Sequence, residues 1–194
     1  MLGGLCNHPC ETDCKRGWDP GEEPVTIKSI KRFSTDFAFQ QGLWINYKIA
    51  PAKGKRVAVV GAGPAGLTCA LDLRVQGYEV VLYEREATVG GLSSTSIPPS
   101  RFDHRQLPWA PDRILSAGID ARSTRNSDRP TGDITTKTTP QPDPPGPLSI
   151  GMMKGRILPI PGSDLPEVTD AMSFLRPVSY DKIPDHFPIG GSVV

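Results

Sequence analysis

Arg56-Val57-Ala58-Val59-Val60-Gly61-Ala62-Gly63-Pro64-Ala65-Gly66-Leu67 decides the fold. Its first five residues form a short, β-branched run of the kind buried in a parallel sheet. A Gly-x-Gly-x-x-Gly turn follows, and Leu67, Ala70, Leu71 and Leu73 continue as a helix that Gly77 stops. Glu79-Val80-Val81-Leu82-Tyr83-Glu84 then reads as a second strand, which makes the segment one right-handed βαβ unit. The three glycines serve different ends. Gly61 makes the tight turn, Gly63 withholds a side chain where a pyrophosphate would approach, and Gly66 lets the helix lie against the strand. Backbone N–H groups and the positive helix end favour an anion at that turn. Glu84 closes the second strand, where its carboxylate would accept hydrogen bonds from both ribose hydroxyls of an adenosine and repel a 2′-phosphate.

Outward from this unit, the 194 residues divide by composition. Residues 1–48 hold Cys6, Cys10 and Cys14 and then an amphipathic stretch, in which Ile27, Ile30, Phe33 and Phe37 recur at helical spacing behind Glu22, Glu23 and Pro24. The expected helix packs that apolar stripe on the next domain. Residues 49–120 carry the nucleotide-binding core. Residues 121–149, dominated by Thr, Pro, Asp, Arg and Ser, are expected to form a long loop or a disordered segment. Residues 150–194 supply the remainder of that domain, with a helix expected over residues 169–176. Ile189-Gly190-Gly191 resembles the strand and glycine-rich turn that open the second dinucleotide domain of flavin-dependent, pyridine-nucleotide-linked oxidoreductases, and the likeness implies that such a domain begins here, truncated.

The cysteines favour a metal centre over disulfides. Cys6, Cys10 and Cys14 sit close together in the pattern C-x-x-x-C-x-x-x-C, whereas Cys69 stands alone inside the predicted helix as a small buried residue. Thiolates on short irregular loops hold iron–sulfur clusters, although a [4Fe-4S] cluster usually takes four. Zinc held by Cys6, His8, Cys10 and Cys14 is the second reading, at an unusual spacing, and a loop without metal is the third.

Composition narrows the remaining classes. Lys+Arg 22 against Asp+Glu 21 gives a net charge of +1, which offers no reason to expect nucleic acid or an anionic membrane as partner. No apolar run approaches the roughly 20 residues of a membrane span, and no secretory leader opens the chain, so a cytoplasmic protein is expected. The apolar fraction of 37% and the 21 prolines suggest that part of the chain does not pack. His104 and His186 read as exposed polar residues, and no catalytic residue is singled out.

Val57 to Leu67, with Tyr83-Glu84 and Gly90-Gly91-Leu92, resembles the FAD half of the glutamate synthase small subunit and its FAD-dependent, pyridine-nucleotide-linked relatives. Cys6-Asn7-His8-Pro9-Cys10-Glu11-Thr12-Asp13-Cys14 and Lys31-Arg32-Phe33 are similar to that family's iron–sulfur segment and following helix. Gln106-Leu107-Pro108, Gly132-Asp133-Ile134-Thr135 and Phe174-Leu175-Arg176 continue the likeness. The resemblance implies an α/β, Rossmann-like FAD-binding domain, incomplete, preceded by a small helical iron–sulfur segment. It further implies that Gly61, Gly63, Pro64, Ala65 and Gly66 cradle the FAD pyrophosphate and that Glu84 holds the ribose. Gly91 and Leu92 would approach the flavin, Ile150-Gly151 would form a turn over it, and Arg105 is a further candidate.

The resulting expectation is an FAD-binding, iron–sulfur electron-transfer subunit of an NAD(P)H-linked oxidoreductase complex, inactive alone. Its pyridine nucleotide is expected to bind elsewhere, and its partner is expected to be a larger catalytic or electron-transfer subunit. The family's buried strand before Ile150 is here replaced by Pro140, Pro142, Pro144, Pro145 and Pro147, which oppose a central strand. That break supports an alternative, a non-catalytic structural subunit on a degenerate flavoprotein scaffold.

Overall fold

The computed structural model describes residues 2–99, 101–123 and 146–180. Three parallel strands form the sheet, in the order β1 (Arg56–Val60), β2 (Glu79–Glu84) and β3 (Asp120–Ser123). Helix α4 (Pro64–Val75) crosses from β1 to β2 and packs on both. Pro64 at its first position is pre-set for the helix, and Gly66, Leu67, Ala70 and Leu71 are its buried residues. Of these, Leu67 and Ala70 join Val59, Ala62, Val80, Leu82 and Ile119 in the core. The helix ends at Gly77, whose φ of 90° is left-handed and whose Cβ, if present, would lie 2.2 Å from the Pro51 carbonyl oxygen. The strand, turn, helix and strand read from sequence are thus all present.

Four helices precede or follow the crossover on the N-terminal side and in the loop after β2: α1 (Leu2–Leu5), α2 (Pro9–Thr12), α3 (Ile27–Gln40) and α5 (Leu92–Thr95). Helix α3 forms where its periodicity placed it, yet it presents the opposite face to the protein. Ile30, Phe33 and Phe37 are 56%, 71% and 48% exposed. The backbone at Lys31 and Arg32 packs closely against Gly3 of α1, and Phe39 meets Trp109 edge-on at 5.8 Å. The expected packing of the Ile30–Phe37 stripe on the next domain is therefore corrected. The acids at its start also act differently: Glu11 of α2 accepts the Lys28 N–H at 2.7 Å, while Glu22 pairs with Arg16.

Helix α6 (Trp109–Leu115) leads into β3, so residues 121–123, expected to open a loop, are strand. Residues 124–145, with the prolines at 140, 142, 144 and 145, lie outside the described residues. The chain returns beside β1, where Leu148 forms a parallel bridge with Val60. The Val60 N–H donates to the Pro147 carbonyl at 3.1 Å and the Ser149 N–H donates to the Val60 carbonyl at 2.7 Å. In a parallel ladder the next bond back would run from residue 147 to the Ala58 carbonyl, and proline has no proton for it. Pro147 thus limits the pairing to one bridge without abolishing it. Helix α7 (Ala171–Ser179) covers most of the stretch expected to be helical and is capped by Asp170, whose side chain accepts the Met172 and Ser173 N–H groups. Ile189-Gly190-Gly191 lies outside the described residues.

No helix among the described residues is long and apolar enough to cross a membrane. Leu82 is fully buried between the sheet neighbours and α4. Leu82→Ala is expected to lower the unfolding free energy by about 3 kcal/mol through lost transfer energy and a cavity. A urea titration followed by circular dichroism checks this.

Candidate nucleotide site

A cleft of about 530 Å³ opens where β1 and β2 end and α4 begins, within the roughly 300–1,000 Å³ range of small-molecule sites. Gly61, Gly63, Pro64 and Ala65 line one side, Glu84 lies at the end of β2, and Gly91, Leu92, Ile150 and Gly151 complete the enclosure. The structure therefore gathers nine residues that the sequence marks as cofactor candidates. Gly66 lies beneath them rather than on the surface. A Cβ there would fall 1.8 Å from the Gly61 carbonyl oxygen, so only glycine lets α4 lie this close to β1.

The glycines differ in what they serve. Gly61 has φ 98°, and a Cβ on it would strike the Ser149 carbonyl oxygen at 2.3 Å. Gly91 has φ 60° and a Cβ there would lie 2.8 Å from Gly63 Cα. Both are required by the fold itself. Gly63 is different: its φ of −69° and ψ of 177° suit any residue, and an added Cβ would meet only Gly91 Cα at 3.9 Å. Nothing in the protein demands glycine at 63, and the space it leaves belongs to the cleft. Gly63 offers no side-chain cap and Pro64 has no N–H, so the amides at the mouth of α4 begin at Ala65, and among the described residues no side-chain cap occupies them.

Glu84 is 9% exposed and anchored at both oxygens. Oε2 accepts the Ala62 N–H at 2.7 Å and Oε1 accepts the Glu86 N–H at 2.9 Å. The carboxylate is thus locked to the glycine turn, and each oxygen keeps a lone pair for a ligand hydroxyl. Arg105 does not join this group. It is exposed, and its guanidinium grips Asp103 at 3.0 and 2.8 Å; the pairing holds the Asp103 carboxyl below its ordinary range and raises the guanidinium above its own. Arg85, Ser149 and Met153 line the cleft without having been singled out. For Arg85 the signal was its place directly after Glu84, whereas Met153 carried none.

The cysteines are not assembled. Cys10 is exposed on α2, Cys6 accepts the His8 N–H at 3.3 Å, and Cys14 precedes a short 3-10 turn over Lys15–Trp18. Among the described residues no group of three or more His, Cys, Asp or Glu side chains stands together as metal ligands. Neither the three-thiolate set nor the Cys6, His8, Cys10, Cys14 set is preformed. His8 is held in the left-handed region at φ 49°. Cys14 has the most distinctive environment: backbone N–H groups of Val25, Arg16 and Gly17 point at it, with the Arg16 charge nearby, and together they lower its thiol below the ordinary range. His104 is half-buried and bonded to the Ile97 carbonyl at 2.7 Å, not a free surface residue.

The NAD(P)-binding Rossmann-like domain family matches residues 59–121. The glutamate synthase [NADPH] small chain of Mycobacterium tuberculosis is 38% identical over 177 residues, which are 90% of this chain and 35% of that protein. The NADPH-Fe(3+) oxidoreductase subunit beta of Geobacter sulfurreducens is 39% identical over 122 residues, 62% of this chain and 18% of its own length. The glutamate synthase [NADH] of Schizosaccharomyces pombe is 34% identical over 176 residues, 91% of this chain and 8% of its own. The chain thus spans about a third or less of these curated relatives.

Cys14 is expected to be alkylated by iodoacetamide at lower pH than an ordinary thiol, whose pKa is about 8.5. A pH–rate profile on a variant retaining Cys14 alone, with Cys6→Ser, Cys10→Ser and Cys69→Ala, measures this. A midpoint at or above the ordinary value contradicts the geometry.

Proposed function

Because the chain belongs to the glutamate synthase small chain-like family, we propose that it binds FAD in this cleft and serves as an electron-transfer subunit of an NAD(P)H-linked oxidoreductase complex. Bound FAD supplies hydride acceptance and one-electron release. The chain's own residues bind and orient it: the amides at the α4 mouth meet the pyrophosphate, Glu84 takes the adenosine ribose, and Leu92, Ile150 and Gly151 enclose the flavin end. The observation that carries this reading is Gly63, a glycine with ordinary backbone angles and an open cleft beside it. The pyridine nucleotide and a larger catalytic or electron-transfer subunit belong to the proposal, as does cytoplasmic residence.

Cys6, Cys10 and Cys14 are the thiols we assign to a [4Fe-4S] cluster. They do not fit one unaided, since three thiols fall short of the usual four and they do not stand together among the described residues. No electron step is therefore routed through them. A ligand from beyond the described residues is required, and iron with labile sulfide in anaerobically purified protein is the expected assay result. Stoichiometric zinc without sulfide would replace the cluster assignment with the zinc reading.

The single-bridge pairing at Pro147 favours a second reading, a structural subunit that keeps the scaffold without the flavin. One experiment separates the two. The purified chain is expected to take up FAD and show its visible absorbance, while Gly63→Val loses the flavin and keeps its circular dichroism spectrum. Wild-type protein that stays colourless after incubation with FAD leaves the structural reading standing.

A further inference from the structure

The Glu84 carboxylate is fixed by two donors of different standing. Ala62 belongs to the glycine turn and is held by it. Glu86 lies beyond the end of β2, in a stretch without strand pairing, so no ladder fixes its N–H. Its side chain does. The Glu86 carboxylate, 11% exposed, receives the Arg176 guanidinium and the Tyr180 hydroxyl, the latter at 3.2 Å, and Arg85 approaches at 3.4 Å. Arg176 and Tyr180 are four residues apart and meet Glu86 from one face at the end of α7. The other end of α7 is anchored by Asp170, and the helix packs on α5, whose Leu92 lines the cleft.

We propose that Glu86 is a positioning residue for sugar recognition: clamped by Arg176 and Tyr180, it presents its own N–H to Glu84 and thereby orients the carboxylate that selects an adenosine ribose. The proposal rests on the reading of this cleft as an adenine dinucleotide site. The terminal torsion of a glutamate is broad, so an Oε1 without its donor lets the carboxylate rotate. Losing Arg176 also weakens the charge compensation of the Glu86 carboxylate, which then keeps the longer Arg85 contact at 3.4 Å. Nucleotide selectivity would then depend on a helix far along the chain, although neither Arg176 nor Tyr180 lines the cleft.

The test is calorimetric titration of the full chain with ADP and with 2′-deoxy-ADP. Wild-type protein is expected to prefer ADP. In Arg176→Leu and Tyr180→Phe the preference is expected to shrink, by up to about tenfold for one misplaced hydrogen bond, with 2′-deoxy-ADP affinity nearly unchanged. Arg176→Lys retains most of the preference. Tyr180→Phe removes only a hydroxyl, which keeps the test available if Arg176→Leu does not fold. Equal loss of both ligands, or an unchanged ratio in folded variants, overturns the positioning role and leaves the cleft reading intact. Absence of ADP binding by the wild type overturns the cleft reading itself.

Discussion

The first turn of α4 lies against the end of β1 with no room for a methyl group between them. Gly66 backs onto the Gly61 carbonyl so closely that any side chain would push the helix away. From this contact the rest of the site follows. It sets the mouth of α4 at the strand ends, places Gly63 at the cleft surface, and brings the loop carrying Gly91 against Gly63. A helix a few ångströms further out would leave the same residues in the same order without the enclosure they form.

The second tie is made by Glu84. Its bond to the Ala62 N–H joins the end of β2 to the glycine turn, so the two strand ends that frame the cleft are bound to one another through a side chain as well as through the ladder. The acid is thus structural, and a buried carboxylate is tolerated there because each of its oxygens has a protein donor.

The crossover unit was legible because the glycines at fixed offsets stood among four independent signals: the preceding strand, the following helix, the second strand and the acid at its end. Nine of the cofactor candidates drawn from it and from the flanking motifs share one cleft. What sequence did not disclose depends on tertiary contacts. Periodicity identified α3 but not which side of it would meet the protein, because α1 occupies the face at Lys31 and Arg32. Glu11 as the cap of α3 comes from a different helix, beyond the reach of any local capping pattern. Arg105 stood near a family-like Leu-Pro pair, yet Asp103 two residues away satisfies it locally. Pro147 was read as a strand breaker, and its carbonyl, which proline retains, still pairs with Val60.

That pairing makes the two walls of the cleft unequal. The side built from β1 and β2 is stitched by a continuous ladder, whereas the side formed by Ser149, Ile150 and Gly151 is tied to β1, among the described residues, by two backbone hydrogen bonds at Val60. Local opening scales with the bonds that must break at once. Among the described residues the Ser149 wall is therefore the less firmly tied side of the cleft, and its amides are expected to exchange with solvent before those of the strands behind it.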